Sequence, residues 1–344
     1  MSDSNIRIEG LPSWHAERNI PYQADGMSDS YLAVICRGAD VSAVVNYVRR
    51  DKVGSVHEVA SLRERGSVHA LGALNNRFGE PVPFFTAVYD WKNYAAQVCA
   101  HNEAARRIVA EVTGGYDDAA MFLPMTEAQF KAVLHVAQGH PLSEIYMHPA
   151  IYGSPWRDVS ADDMRAELTE LRGRGRLKHP QQRISNRVAS YGRMRHPQSA
   201  DYGLPQFDLD LVVSRREANY TQRVSLLVEY KSANSEFTMR GGKVVPTNGS
   251  NHTYSAERLT NLRTAEGYEI PALIARYRDL ADEGEPITLY PLNRLAWSHV
   301  AFCLGHYGNE VEQTSTLATA VEGLRPVHVS QAMWEQIIKD AAGR

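Results

Sequence analysis

Two apolar runs, at 209–213 and 224–228, flank a polar stretch at 214–223 within FDLDLVVSRREANYTQRVSLLVEYK. Val- and Leu-rich runs of that length predict two buried antiparallel strands joined by a hairpin loop. Acids open the first run (Asp208, Asp210), and Glu229, Tyr230 and Lys231 close the second. Side chains alternate along a strand, so Asp208 and Asp210 are expected to share one face, as are Glu229 and Lys231. Leu209, Leu211 and Val213 then face the core. The same pattern predicts strands at 31–36, 67–74, 82–89, 270–277 and 286–290. Helices are expected at 41–48, where Asp40 caps Val41, Val44, Val45 and Val48, and at 93–112, stopped by Gly114 and Gly115. Others are expected behind the capping box of Thr126 and Gln129, after Ser160, after Ser255, and after Ser330 with Trp334, Ile337 and Ile338. No internal repeat and no low-complexity tract stands out.

A Pro/Gly-rich stretch at 141–156 marks a domain boundary. It divides the chain into an accessory α+β domain of unknown role, 1–150, and a second domain, 151–344. The 344 residues are 43% hydrophobic and 22% charged, ordinary values for a globular chain. No apolar run approaches the roughly 18 residues of a membrane span. The first residues are polar and lack the apolar core of a secretory signal. Three scattered cysteines, Cys36, Cys99 and Cys303, make a disulfide framework unexpected, so a reducing cytoplasm is the expected location.

The net charge of −3 excludes a general attraction to nucleic acid, but the charge is unevenly spread. From 171 to 200 there is no acid, while Arg172, Arg174, Arg176, Lys178, Arg183, Arg187, Arg193 and Arg195 are basic. A basic run directly before the acidic hairpin suggests a phosphate-binding approach to it, and a solvated charged helix is the plainer account. Lys243, in the tip Arg240-Gly241-Gly242-Lys243, is a further candidate phosphate contact. His299 with His306, and Cys99 with His101, lack the spacing of a tetrahedral zinc site.

Carboxylates at the edge of an apolar core need compensation, and the oxygens of Asp210 and Glu229 are the hard ligands that Mg²⁺ prefers. A surface salt bridge, worth about 0–1 kcal/mol, would explain one Glu–Lys contact but not the acids facing it. Asp90-Trp91-Lys92 also follows an apolar run, without an acid opening a neighbouring strand, so Asp-x-Lys after a strand says little alone.

FDLDLVV followed by VSLLVEYKS resembles the signature of the PD-(D/E)xK nuclease superfamily, and the downstream helix and strand extend the resemblance over about 181–291. It implies a restriction-endonuclease-like α/β (α+β) fold, a mixed β-sheet flanked by helices. Asp210 matches the first acid, with Asp208 in reserve, and Glu229 and Lys231 match the second half. Mg²⁺ or Mn²⁺ would be held by Asp210, Glu229 and the Tyr230 backbone carbonyl, and Lys231 would position the attacking water. The implied substrate is nucleic acid, DNA before RNA, and a homodimer stays open. Many members carry a further Glu before the first acid, which 171–200 lacks. The alternative is therefore a catalytically inactive nucleic-acid-binding or scaffold protein on the same fold, and a third reading gives the main activity to 27–140.

Overall fold

The computed structural model describes residues 30–49, 70–90, 95–115, 122–142, 206–217, 222–232, 237–240, 243–246, 256–278, 282–313 and 326–343. They form two compact units. The first holds the described residues of 27–68 and 81–208, and the second holds those of 69–80 and 209–344. The expected boundary stretch, 141–156, falls almost wholly outside the described residues.

The first unit runs β1 (Ser30–Arg37), β2 (Asp40–Arg49), β3 (Phe84–Asp90), β4 (Ala95–Ala100), α1 (Glu103–Thr113), β5 (Leu123–Thr126), α2 (Glu127–Ala137) and β6 (Gln206–Asp208). Its sheet has the order β5-β4-β3-β2-β1-β6, antiparallel except for the parallel pair β2–β3. The second unit runs β7 (Leu211–Arg216), β8 (Gln222–Ser232), β9 (Phe237–Arg240), β10 (Lys243–Pro246), a 3-10 turn (Glu257–Asn261), β11 (Ala272–Tyr277), β12 (Ile287–Pro291), α3 (Arg294–Tyr307), β13 (Val327–Val329) and α4 (Gln331–Ala341). Its sheet has the order β13-β12-β11-β8-β7, antiparallel except for the parallel pair β8–β11, and β9–β10 is a separate ribbon. The described residues are thus α+β, with two mixed sheets and few helices. Among the described residues no helix is long and apolar enough to cross a membrane.

The two units repeat one design. β1-β2-β3-β4-α1-β5-α2 and β7-β8-β11-β12-α3-β13-α4 share strand order, strand directions and the place of the parallel pair. The first hairpin slips register between Ile35 and Cys36, and the second between Val213 and Ser214, the equivalent step. Ser42 Oγ donates to Ile35 O (3.2 Å), and Ser225 Oγ donates to Val213 O (3.1 Å). Asn102 caps α1 through Ala105 N–H and donates to Val82 O; Asn293 caps α3 through Ala296 N–H and donates to Ile270 O. In each unit a buried tyrosine meets an aromatic of the last helix edge-on, Tyr47 with Phe130 (6.0 Å) and Tyr230 with Trp334 (6.1 Å). Strand segments VSAVVNYV (41–48) and VSLLVEYK (224–231) align without a gap under these contacts. The expectation of no internal repeat is therefore corrected.

Helix pairs α1/α2 and α3/α4 each cover one face of their sheet. In the second unit Leu226, Val228, Leu273, Val300, Trp334, Ile337 and Ile338 are buried together. Each such side chain removed from water stabilises by about 1.5–3 kcal/mol.

Four predicted elements differ. The segment 41–48 is strand β2, because its valines lose side-chain freedom in a helix and the strand is buried on both faces, which hides alternation. The expected helix 93–112 splits into β4 and α1 at His101 and Asn102, since the Asn102 cap satisfies amide donors that a continuous helix would not expose. Of the expected strand 67–74, residues 70–72 are a helical turn. The helix expected after Ser255 is only the 3-10 turn, with Leu259 and Leu262 buried. α3 and β13 were not expected.

Because Asn102 and Asn293 make the same pair of bonds, Asn102→Ala and Asn293→Ala should each lower unfolding free energy by about 1 kcal/mol, measured by urea denaturation.

Candidate active site

β8 is hydrogen-bonded on both edges, to β7 and to β11, and its side chains alternate between two buried faces. Leu226, Val228 and Tyr230 enter the core under α3 and α4. Leu227, Glu229 and Lys231 take the other face, where the register sets Ile274 beside Glu229 and Arg276 beside Lys231. Glu229 is fully buried, Lys231 is 14% exposed, and the Lys231 ammonium is ion-paired with Glu229 Oε1.

Asp210 immediately precedes β7. Leu211 pairs with Val228, so the next step puts Asp210 across from Glu229. Its Oδ2 accepts a hydrogen bond from the Tyr230 amide at 2.7 Å. In an antiparallel ladder the N–H and C=O of one residue point to the same neighbour, so the Tyr230 carbonyl also points to the Asp210 side. One acid, a second acid, a backbone carbonyl and an ammonium thus meet where β7 begins and β8 ends. All the candidate ligand atoms are hard oxygens, the donor set suited to Mg²⁺ or Mn²⁺.

The Tyr230 ring anchors this end of β8 from the opposite face. Trp334 Nε1 donates to the Tyr230 hydroxyl at 3.0 Å, and Tyr277 packs against the ring edge-on. Burial is the main cause that pushes the phenol well above its ordinary range. It stays protonated and structural.

The remaining expected residues are placed differently. Asp208 ends β6, paired with Ala33 of β1 in the first unit's sheet, and the strand breaks at Leu209 and Asp210. The expectation that Asp208 and Asp210 alternate on one strand face is corrected by that break. Arg172, Arg174, Arg176, Lys178, Arg183, Arg187, Arg193 and Arg195 lie outside the described residues. Lys243 opens β10, opposite Arg240 in the separate ribbon. Arg276, not among the expected residues, is half-buried beside Lys231 on the same face. The alternation of ALIARY pointed to it: Ile274 and Arg276 share a face, with Leu273, Ala275 and Tyr277 on the other.

The repeat shows what the fold alone requires here. The positions of Asp210, Glu229 and Lys231 correspond to Leu32, Asn46 and Val48 in the first unit, and that of Arg276 to Val88. Tyr230 corresponds to Tyr47, buried likewise. The aromatic anchor belongs to the fold; the charges do not. Comparison with known proteins gives no matching family model, no matching curated protein and no matching solved structure.

Removing the Tyr230 hydroxyl leaves the buried Trp334 N–H without its acceptor. Tyr230→Phe should therefore cost about 1–3 kcal/mol of stability by chemical denaturation.

Proposed function

We propose that the second unit is a metal-dependent nuclease of the PD-(D/E)xK type, hydrolysing phosphodiester bonds, with DNA as the substrate. One observation carries this reading: two carboxylates and a lysine converge at one sheet end where the same fold, repeated in the same chain, uses Leu32, Asn46 and Val48. An ion pair as buried as Glu229–Lys231 is weak evidence for stability, since apolar replacement of such pairs is often neutral or stabilising. The strand order adds support. The hairpin β7–β8, followed by a crossover to the parallel strand β11, suits a restriction-endonuclease-like core.

In this reading Asp210, Glu229 and the Tyr230 carbonyl hold Mg²⁺ or Mn²⁺. The ion, when bound, polarises the phosphoryl oxygen and offsets the charge of the transition state. Asp210 is positioned by the Tyr230 amide, so the carboxylate and carbonyl are oriented as one unit. Lys231, held by Glu229, orients the attacking water and neutralises charge developing on the phosphate. Arg276 lies beside Lys231 on β11 and supplies a second cation for a flanking phosphate.

Asp210→Ala and Lys231→Ala should each reduce Mg²⁺-dependent cleavage of a DNA substrate by about 100-fold or more while far-ultraviolet dichroism stays unchanged. Wild-type-like cleavage by both variants would sink the assignment. The closed Glu229–Lys231 pair favours a second reading, an inactive nucleic-acid-binding or scaffold protein. It requires that the wild type show neither cleavage nor Asp210-dependent Mg²⁺ binding by calorimetry. Arg276→Ala should raise KM about tenfold with kcat within about twofold, the pattern of a lost ground-state phosphate contact.

A further inference from the structure

On the other face of the second sheet, the contact between α3 and α4 contains groups that the nuclease reading does not use. His299 and Cys303 stand four residues apart on one side of α3, and Asp340 faces them from α4. One ligand atom from each lies within 4.8 Å of the others. We propose that His299, Cys303 and Asp340 form a binding site for a divalent transition-metal ion of the Zn²⁺ class.

Imidazole, thiolate and carboxylate make the mixed, borderline-soft set that suits Zn²⁺, in contrast to the all-oxygen set at Asp210 and Glu229. The imidazole is already oriented for the task. His299 Nε2 lies 3.0 Å from the Ile337 carbonyl, which can only accept, so Nε2 carries the proton. In the neutral imidazole, the form that binds a metal, the lone pair then sits on Nδ1, the atom 3.6 Å from Asp340 Oδ2. A metal-binding histidine with its other N–H on a backbone carbonyl is the usual second-layer arrangement. Asp340 is oriented in the same way, since Tyr307 donates to its Oδ1 at 3.1 Å. Ligand atoms around tetrahedral zinc are roughly 3.3–3.8 Å apart, so the cluster must close by about 1 Å. His299 and Asp340 retain 16% and 24% side-chain exposure, which leaves them room to do so.

The first unit provides the control. The positions of His299, Cys303 and Asp340 correspond there to Ile108, Val112 and Val136, which pack against that unit's hydrophobic core. The fold closes this helix contact with aliphatic side chains, so a ligand triad is not a packing requirement. Burial first, and the Asp340 carboxylate second, push the Cys303 thiol up to about 12, so a bound ion would have to displace that proton. His299 and Asp340 also line a pocket of about 220 Å³ walled by Arg215, Arg223 and Tyr268. Three protein ligands beside a pocket leave a fourth position for water or a small anion.

The test is titration of the full-length protein with Co²⁺ as the probe. The wild type should develop thiolate-to-cobalt charge transfer in the near ultraviolet and strong visible bands of a tetrahedral ion. Cys303→Ser should lose the charge transfer, and His299→Ala should weaken binding at least about tenfold. Zn²⁺ should raise the thermal midpoint of the wild type more than that of Cys303→Ser, a readout that does not depend on the cobalt spectrum. Asp210→Ala should leave the cobalt spectrum unchanged, which separates this site from the nuclease reading. No charge transfer in the wild type, or its persistence in Cys303→Ser through Cys36 or Cys99, overturns the proposal.

Discussion

The parallel pairing of β8 with β11, under an antiparallel β7, is the constraint on which the second unit depends. It makes β8 a central strand with both edges bonded and both faces covered, a place where the backbone cannot relax and where water is scarce. A charge there needs a fixed partner, because an isolated ion in such a setting costs several kcal/mol. Glu229 meets that demand through Lys231, and Asp210 through the amide of Tyr230. The same rigidity gives a candidate site its precision. Tyr230 is held on the core side by Trp334 and Tyr277, so its amide and carbonyl are fixed on the edge where Asp210 sits.

The repeat turns this from a description into a comparison. β2 pairs with β1 and β3 as β8 pairs with β7 and β11, and it places Asn46, Tyr47 and Val48 where β8 places Glu229, Tyr230 and Lys231. Both units fold under the same geometric demands, and only one meets them with charge. Where the units agree, as in Tyr47 and Tyr230, Asn102 and Asn293, or Ser42 and Ser225, the residue answers to the fold. Where they differ in chemistry at a matched position, the fold has been satisfied by other means and the difference calls for another cause. The Asp90-Trp91-Lys92 segment also finds its place. Asp90 ends β3, the counterpart of β11 rather than of β8, so it occupies no position equivalent to Glu229, and Trp91 and Lys92 lie outside the described residues.

Much of the second unit was legible in the sequence because its strands end in informative residues. Val and Leu runs closed by Glu229 and Lys231, the Ser330 cap and the Ile270–Pro271 entry to β11 all carry local signals. The first unit was read less well for a physical reason. β2 is buried on both faces, so VSAVVNYV shows no alternation, and its valines fall by chance at helical spacing. The repeat is faint in sequence because VSAVVNYV and VSLLVEYK preserve size and burial more than identity, and hydrogen-bond register, invisible in sequence, aligns them. α3 was missed although Asn293, Ala296, Val300, Cys303 and Leu304 mark its cap and buried side, because Trp297 and Phe302 blur the stripe.

The excess polarity of the second unit, measured against the first, falls in two places rather than one. Leu32, Asn46, Val48 and Val88 become Asp210, Glu229, Lys231 and Arg276 on one face of the sheet. Ile108, Val112 and Val136 become His299, Cys303 and Asp340 between the helices on the other. The two groups differ in donor set, all oxygen against nitrogen, sulfur and one oxygen, so the two proposed sites would favour different ions. They are nevertheless joined through packed side chains, since Tyr230 bonds to Trp334 of α4 and α4 carries Asp340 six residues on. An ion that drew α3 and α4 together at Asp340 would press on the helix that anchors Tyr230, and hence on the backbone that orients Asp210. If both proposals hold, the inner core of this unit would link a hard-oxygen site to a softer one; at the matched positions of the first unit, Phe130 meets Tyr47 and Ile108, Val112 and Val136 are aliphatic.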